Sequence, residues 1–240
     1  MVQELDHFKH KVHVLFKRED LDHERLEGKV VIVLDVLFAT TTIIHALHSG
    51  AKEVIPVLDE ESARDIATTQ DPTTTVLAGE LYGDTIPGFF HPAPIRLAQE
   101  NLSDKTLVYS TTNGTVALRQ ALGADHILVG AMVNAASVVD YVVSTYPDKT
   151  ILIVCSGSMG SPNLEDTCGA GYFIDLLKTR TGYSGKDTFS DAAETAQLVS
   201  KTATSADSLL RRPVGRMLVG RGCDGAGGFG PGLRSDRGVP

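Results

Sequence analysis

The chain has no tryptophan, only three cysteines, and no apolar run near the roughly 20 residues that a bilayer-spanning helix needs. Its longest apolar runs, Val30 to Leu34 and Ile151 to Val154, are strand-sized, so no membrane segment is expected. Cys155, Cys168 and Cys223 lack the paired spacing of a zinc site, and an odd number of thiols suits a reducing compartment better than a disulfide scaffold. Positive charge is also short: 22 Lys and Arg against 30 Asp and Glu give a formal charge of −8. That balance opposes a phosphate backbone and argues against a nucleic-acid partner. The start, Met1-Val2-Gln3-Glu4-Leu5-Asp6-His7, lacks a basic-then-apolar leader, so a cytoplasmic location is expected.

What is present is a recurring unit. At 240 residues and 42% hydrophobic, the chain can bury a large core. Val30-Val31-Ile32-Val33-Leu34 reads as a strand buried on both faces, followed by a helix over 41–48 that stops at Gly50. Strands at 53–57 and 75–78, a helix at 60–69, a long loop at 81–94 of the kind that often covers a site, a short helix near 95–101, then strands at 107–109, 126–129 and 151–154 with helices after 114, after 134 and from 164 to about 177 continue the alternation. An edge strand at 11–16 precedes them, and a helix over 187–201 follows. Such alternation predicts an α/β fold with a largely parallel sheet. Residues 1–220 read as a single domain, while 221–240, rich in glycine and without apolar periodicity, reads as a disordered tail.

The strand ends carry the polar chemistry, and in an open α/β sheet they converge on one crevice. Lys105 to Leu118 is the centre of the pattern: an apolar strand empties into Ser110-Thr111-Thr112-Asn113-Gly114-Thr115 and then becomes a helix. Thr111, Thr112, Asn113, Thr115, Thr40 and Thr41 are donors for an oxyanion, Gly114 and Gly157 allow backbone to approach a ligand, and Asn134 opens a helix. Capping is the competing role for all the hydroxyls, and Asn134 is a good N-cap. Asp35, Glu80, Glu165 and Asp166 sit at strand ends or helix starts and are the catalytic candidates. Asp35 has the alternative of a turn or cap residue, and Glu165 and Asp166 that of complementing a helix dipole. His7, His10 and His13 share a face only on a helix, and this segment reads as strand, so they are taken as structural. Cys155 reads as core. His91, in the proline-rich loop at 81–94, is solvated or a general acid.

Several of these stretches together resemble the 2-phosphosulfolactate phosphatases: Val33-Leu34-Asp35-Val36-Leu37 with Ala39-Thr40-Thr41-Thr42, Leu77-Ala78-Gly79-Glu80, Thr111-Thr112-Asn113-Gly114-Thr115, Asn134-Ala135, and Cys155-Ser156-Gly157 with Leu164-Glu165-Asp166. Ser190-Asp191-Ala192-Ala193 and Gly215-Arg216 extend the likeness weakly. The resemblance implies a three-layer α/β/α fold from two similar halves, which would meet near 100–105, and a homodimer. It also implies Mg²⁺-dependent hydrolysis of a small anionic phosphate monoester on the route to coenzyme M. Magnesium takes hard oxygen ligands, and Asp35, Glu80 and Glu165 are the expected ones.

The pattern breaks in four places. The family has arginine where this chain has Phe38 and Leu81, the loop at 90–94 differs, and the C-terminal strands give way to the glycine-arginine tail. Without those guanidiniums the anion pocket is expected to be altered. The alternative function is a metabolite-binding protein that keeps the fold without catalysis. For the tail, one consequence can be measured. Its only sizeable apolar side chains are Phe229, Leu233 and Val239, each worth about 1.5 to 3 kcal/mol when buried, too few to order its glycines. Deletion after Gly220 should leave the melting temperature nearly unchanged, and a large drop would show that the tail packs.

Overall fold

In a computed structural model the described residues are 11–183 and 188–202. The expectations for His7, His10, Cys223, Gly215-Arg216 and the tail at 221–240 lie outside them. The strands are β1 Val12–Leu15, β2 Lys29–Leu34, β3 Glu53–Val57, β4 Thr75–Leu81, β5 Asp84–Thr85, β6 Thr106–Ser110, β7 His126–Gly130 and β8 Thr150–Cys155. Between and after them run α1 Ala39–His48, α2 Glu60–Thr69, α3 Pro94–Leu97, α4 Gly114–Gln120, α5 Ala135–Thr145, α6 Leu164–Thr181 and α7 Asp191–Thr202. Among the described residues no helix is long and apolar enough to cross a membrane.

The expected α/β architecture is present, but its strands form two sheets, in the orders β1-β8-β2-β7 and β3-β6-β4-β5. All pairings are parallel except the short β4–β5 hairpin. The middle of the chain, β3 to β6, makes one sheet, and the strands before and after it make the other. Each sheet therefore takes strands from both sides of residues 100–105. The two sheets share a middle layer of helices, so that each is the centre of its own α/β/α sandwich.

Alternation along the buried strands explains this layering. On β2, Val30, Ile32 and Leu34 pack outward with Phe173, Ile174 and Leu177 of α6, while Val31 and Val33 pack inward with Ile43 of α1 and Ala117 of α4. On β6, Leu107 and Tyr109 join the inner cluster and Val108 the outer one, beside Ala63 of α2. A strand with helices on both faces needs apolar residues at every position, as these runs show. The inter-sheet layer is the constraint that brings the carboxyl ends of both sheets to the same side.

Three local expectations change. Helix α3 is a single turn with Pro94 at its start, not a helix over 95–101. The helix after Asn163 continues to Thr181, beyond the expected 177, and stops at Gly182 in left-handed conformation with φ 74°. The loop at 81–94 borders the pocket at the strand ends only through Leu81 to Gly83 and Ile86, and its later part is tied to the sheet. Phe90 exchanges backbone hydrogen bonds with Leu77 and Gly79, and the Pro92 carbonyl accepts from Thr42 Oγ1 and Tyr109 Oη, each at 2.9 Å. Helices α6 and α7 pack so closely that a Cβ on Gly171 would stand 2.1 Å from the Ala196 carbonyl oxygen. Gly171→Ala should therefore cost about 1 to 3 kcal/mol through overpacking, read as a lower denaturant midpoint; an unchanged midpoint would show that α7 shifts freely.

Candidate active site

The carboxyl ends of β2, β4, β6 and β8 meet at a solvent-open crevice of about 640 Å³. Asp35, Glu80, Thr111, Thr112, Asn113 and Gly157 line it, joined by Leu37, Phe38, Ala39, Tyr82, Gly83, Ser158, Met159 and Asn163. Two sheets thus supply one site, with Asp35 and Gly157 from the first and Glu80 and Thr111 to Asn113 from the second.

Asp35 follows the last residue of β2 and lies where two helices begin. Its carboxylate accepts the N–H of Ala39, at 3.4 Å, and that of Gly114. Both belong to first helical turns, where backbone donors have no partner in the helix and the dipole favours negative charge. A Cβ on Gly114 would lie 2.6 Å from Asp35 Oδ2 and 2.5 Å from Ala39 Cβ, so the glycine is required by close approach. Burial, then the neighbouring Glu80, raises the Asp35 pKa from 3.8 to about 7; Glu165 adds to this, and the two N–H donors act against it. Glu80 is held harder. Thr112 N donates to it at 2.7 Å, Thr112 Oγ1 at 2.9 Å and Gly83 N at 2.5 Å.

Most of the predicted hydroxyl donors are spent on the turns themselves. Thr40 Oγ1 accepts from Asp35 N and donates to Asp35 O, and Thr41 Oγ1 donates to Val36 O. Thr111 and Thr115 bond each other's backbone reciprocally across the β6–α4 turn. Capping of this kind is the local competition that Thr side chains usually enter. Thr112 Oγ1 also accepts the Tyr82 N–H, which ties the β4 hairpin to the β6 turn.

Asn134 and the two acidic residues of α6 depart from expectation. Asn134 makes no cap; it braces the β7–α5 turn, accepting from Ala131 N and donating to Val129 O, and does not line the crevice. Asp166 is 1% exposed and joins the ends of β2 and β8 by accepting from Val36 N at 2.9 Å and Gly157 N at 3.2 Å. Burial raises its pKa, with Asp35 and Glu165 adding to the effect. Glu165, 3% exposed, has its pKa raised by burial. Neither is among the residues that line the crevice, but both lie close enough to Asp35 for their charges to act on one another. Among the described residues no group of three or more His, Cys, Asp or Glu is arranged to hold a metal, so the Asp35, Glu80 and Glu165 set is not assembled as a triad. Asp35 and Glu80 remain the pair that faces the opening.

Cys155 is fully buried in the core, and burial raises its pKa well above the usual thiol range, which removes it as a nucleophile. His91 is half-buried, its Nδ1 accepting from Ala93 N, and it is not part of the crevice lining. The residue that sequence reasoning missed is Arg18, in the connection between β1 and β2. Its Nη1 donates to Asn113 Oδ1 at 2.7 Å, Nη2 lies 3.3 Å from Glu19, and Nε is buried without a partner among the described residues. It lines the outer part of the crevice together with Glu80, Leu81 and Met159. No local pattern signals it, because its partner is 95 residues away.

The perturbed carboxyl makes stability depend on pH. A group whose folded pKa is raised from 3.8 to about 7 binds more protons when folded, so stability falls as pH rises through that window and levels off above it. In metal-free buffer, Asp35→Asn should flatten that decline and melt higher than the parent chain at pH 8, with little difference at pH 4. Equal melting temperatures at pH 8 would show that the carboxylate carries no such strain.

A family model described as 2-phosphosulpholactate phosphatase matches residues 15–224. A probable 2-phosphosulfolactate phosphatase of Clostridium novyi is 38% identical over 191 residues, covering 79% of this chain and 78% of the relative. Proteins of the same name from Caldanaerobacter subterraneus and Carboxydothermus hydrogenoformans are 36% and 35% identical, over 68% and 88% of this chain and 67% and 84% of their own lengths. The chain belongs to the 2-phosphosulpholactate phosphatase family.

Proposed function

We propose that this protein is a phosphoric monoester hydrolase acting on a small phosphate ester, with Mg²⁺ as its metal. The observation that supports this most is the pair Asp35 and Glu80, two carboxylates facing one crevice with no ion-pair partner among the described residues. An uncompensated pair is a good home for a hard divalent cation. Magnesium usually takes one or two carboxylates and completes its shell with water and phosphate oxygens, so the pair is enough without Glu165. When bound, the ion neutralises charge on the equatorial phosphate oxygens.

The chain's own groups supply the rest. The first turns of α1 and α4 direct backbone N–H groups to Asp35 and hold its carboxylate in place. Glu80 is fixed by Thr112 and Gly83, so neither carboxylate has to reorganise when an ester arrives. Phe38, 7% exposed, forms an apolar wall beside Asp35, and Tyr82 and Met159 stand exposed at the rim. Leu81, 53% exposed, faces the outer part near Arg18 instead, so the two replaced arginine positions are not one wall.

The relatives are named for 2-phosphosulfolactate, an ester that carries a sulfonate and a carboxylate beside its phosphate. A second buried charge without a partner costs roughly several kcal/mol, and Phe38 offers none. The ester that fits is one with a single phosphate and an apolar body. A cytoplasmic location and the lack of a nucleic-acid partner go with this reading, supported by the buried free Cys155 and Cys168 and the formal charge of −8, while a homodimer goes with the family likeness alone.

Phosphate release from a panel of esters, with Mg²⁺ and with chelator, tests it. Turnover should require Mg²⁺, and kcat/KM should be at least about tenfold higher for apolar-bodied esters than for those with a second acidic group, the ratio equivalent to roughly 1.4 kcal/mol. Binding by calorimetry with no release from any ester would instead make this a metabolite-binding protein.

A further inference from the structure

Arg18 is the one cationic side chain that the described residues bring against Asn113, and it touches the predicted oxyanion turn from outside the strand ends that define the site. We propose that Arg18 is a positioning residue: by clamping Asn113 Oδ1 it turns the Asn113 Nδ2 amide into the crevice as a fixed donor for the phosphate. This rests on the phosphatase reading for its substrate.

The orientation of an asparagine amide is often ambiguous, because its oxygen and nitrogen look alike. Here the partner resolves it. A guanidinium has five N–H donors and no acceptor, so only the oxygen of Asn113 can face Arg18 Nη1 at 2.7 Å. The nitrogen is left on the other branch of the side chain. It has no hydrogen-bond partner among the described residues, and Asn113 lines the crevice with Asp35 and Glu80. A bond to a charged donor is shorter and stronger than a neutral one, so the clamp holds better than solvent would.

The clamp is itself anchored. Arg18 N donates to Ser156 O at 3.3 Å and Lys17 Nζ to Gly160 O at 3.2 Å, which fixes the connection against the loop after β8. The Arg18 side chain is 16% exposed, and its other end meets Glu19. Its buried Nε has no partner among the described residues, so the guanidinium is placed for the Asn113 contact rather than for its own best pairing. With Nη1 on Asn113 and Nη2 beside Glu19, the contact Arg18 makes with the crevice turn is through the Asn113 amide, and the paired variants below separate this from a direct grip on the anion.

The test uses the full chain with Mg²⁺ and inorganic phosphate as probe, by calorimetry, alongside ester turnover. Arg18→Met should weaken phosphate binding on the order of tenfold and raise KM more than it lowers kcat, while Arg18→Lys, which keeps one donor, should recover part of the loss. The deciding variant is the pair. In an Asn113→Ala background, Arg18→Met should cost no more than about twofold. Asn113→Asp gives a second readout if Arg18→Met folds poorly. It should strengthen the pair with Arg18 and raise the melting temperature, yet lose phosphate affinity, because an oxygen then faces the anion. A full tenfold loss from Arg18→Met in the Asn113→Ala background, unchanged phosphate affinity in Arg18→Met, or undiminished affinity in Asn113→Asp overturns the proposal. So does a parent chain that fails to bind phosphate. A parent chain that binds phosphate but releases none from any ester sinks the phosphatase reading alone, and the binding measurements still decide the role of Arg18.

Discussion

Gly114 and Asp35 approach so closely that no side chain fits between them: a Cβ on the glycine would stand 2.6 Å from the carboxylate. This contact joins the start of α4, which leaves the second sheet, to the end of β2 in the first. Asp35 also accepts the N–H of Ala39, at the start of α1, so both helices of the shared middle layer begin at one carboxyl group. Their unpaired first-turn donors gain an acceptor, and the acceptor gains two dipoles of the right sign, each worth about 0.3 to 1 kcal/mol near a surface. The crevice is the space left over when two sheets are tied at this point.

How the neighbouring polar groups are used follows from it. Once the turns after β2 and β6 must hold a fixed shape around Asp35 and Gly114, their threonines are drawn into bracing them, as the Thr40 and Thr111–Thr115 hydrogen bonds show. Asp166 does the same for the ends of β2 and β8 through Val36 and Gly157. Asp35, Glu80 and Asn113 are among the polar residues that line the crevice, with Phe38 apolar beside them.

The strands and most helices could be read in the sequence, because burial on both faces forces unbroken runs such as Val30 to Leu34 and alternation with helices fixes the class. The division into two sheets could not. The central parallel strands β2 and β6 are apolar on both faces, and a pattern that satisfies two neighbours does not say which sheet they belong to. The turns after β2 and β6 stood out for their hydroxyls, and their capping alternative is the role the structure gives to Thr40, Thr41, Thr111 and Thr115. Asp166 read as a catalytic candidate with dipole complementation as the alternative, but its carboxylate ties Gly157 to Val36, 130 residues away, a long-range use that no window reveals. Asn134 kept its place at a helix start while its side chain turned back to the preceding strand. Arg18 had no signal, since a charged residue in a polar connection looks like any solvated one.

Charge is what these hydrogen bonds leave unbalanced. Asp35, Glu80 and Asp166 each receive neutral N–H or O–H donors, and Arg18 is committed to Asn113 and Glu19. Dipoles orient a carboxylate and lower its cost, but they do not cancel its net charge, and burial, with Glu80 beside it, still raises the pKa of Asp35. A phosphate ester brings more negative charge to the same crevice. Attraction can outweigh repulsion there only if a cation enters with it or before it, because the Coulomb energy of like charges a few ångströms apart is about 4 kcal/mol even at an effective dielectric of 20. On the proposed Mg²⁺-dependent reading, binding of metal and binding of ester would therefore be coupled, each favouring the other, with the protein contributing geometry and the ion contributing sign.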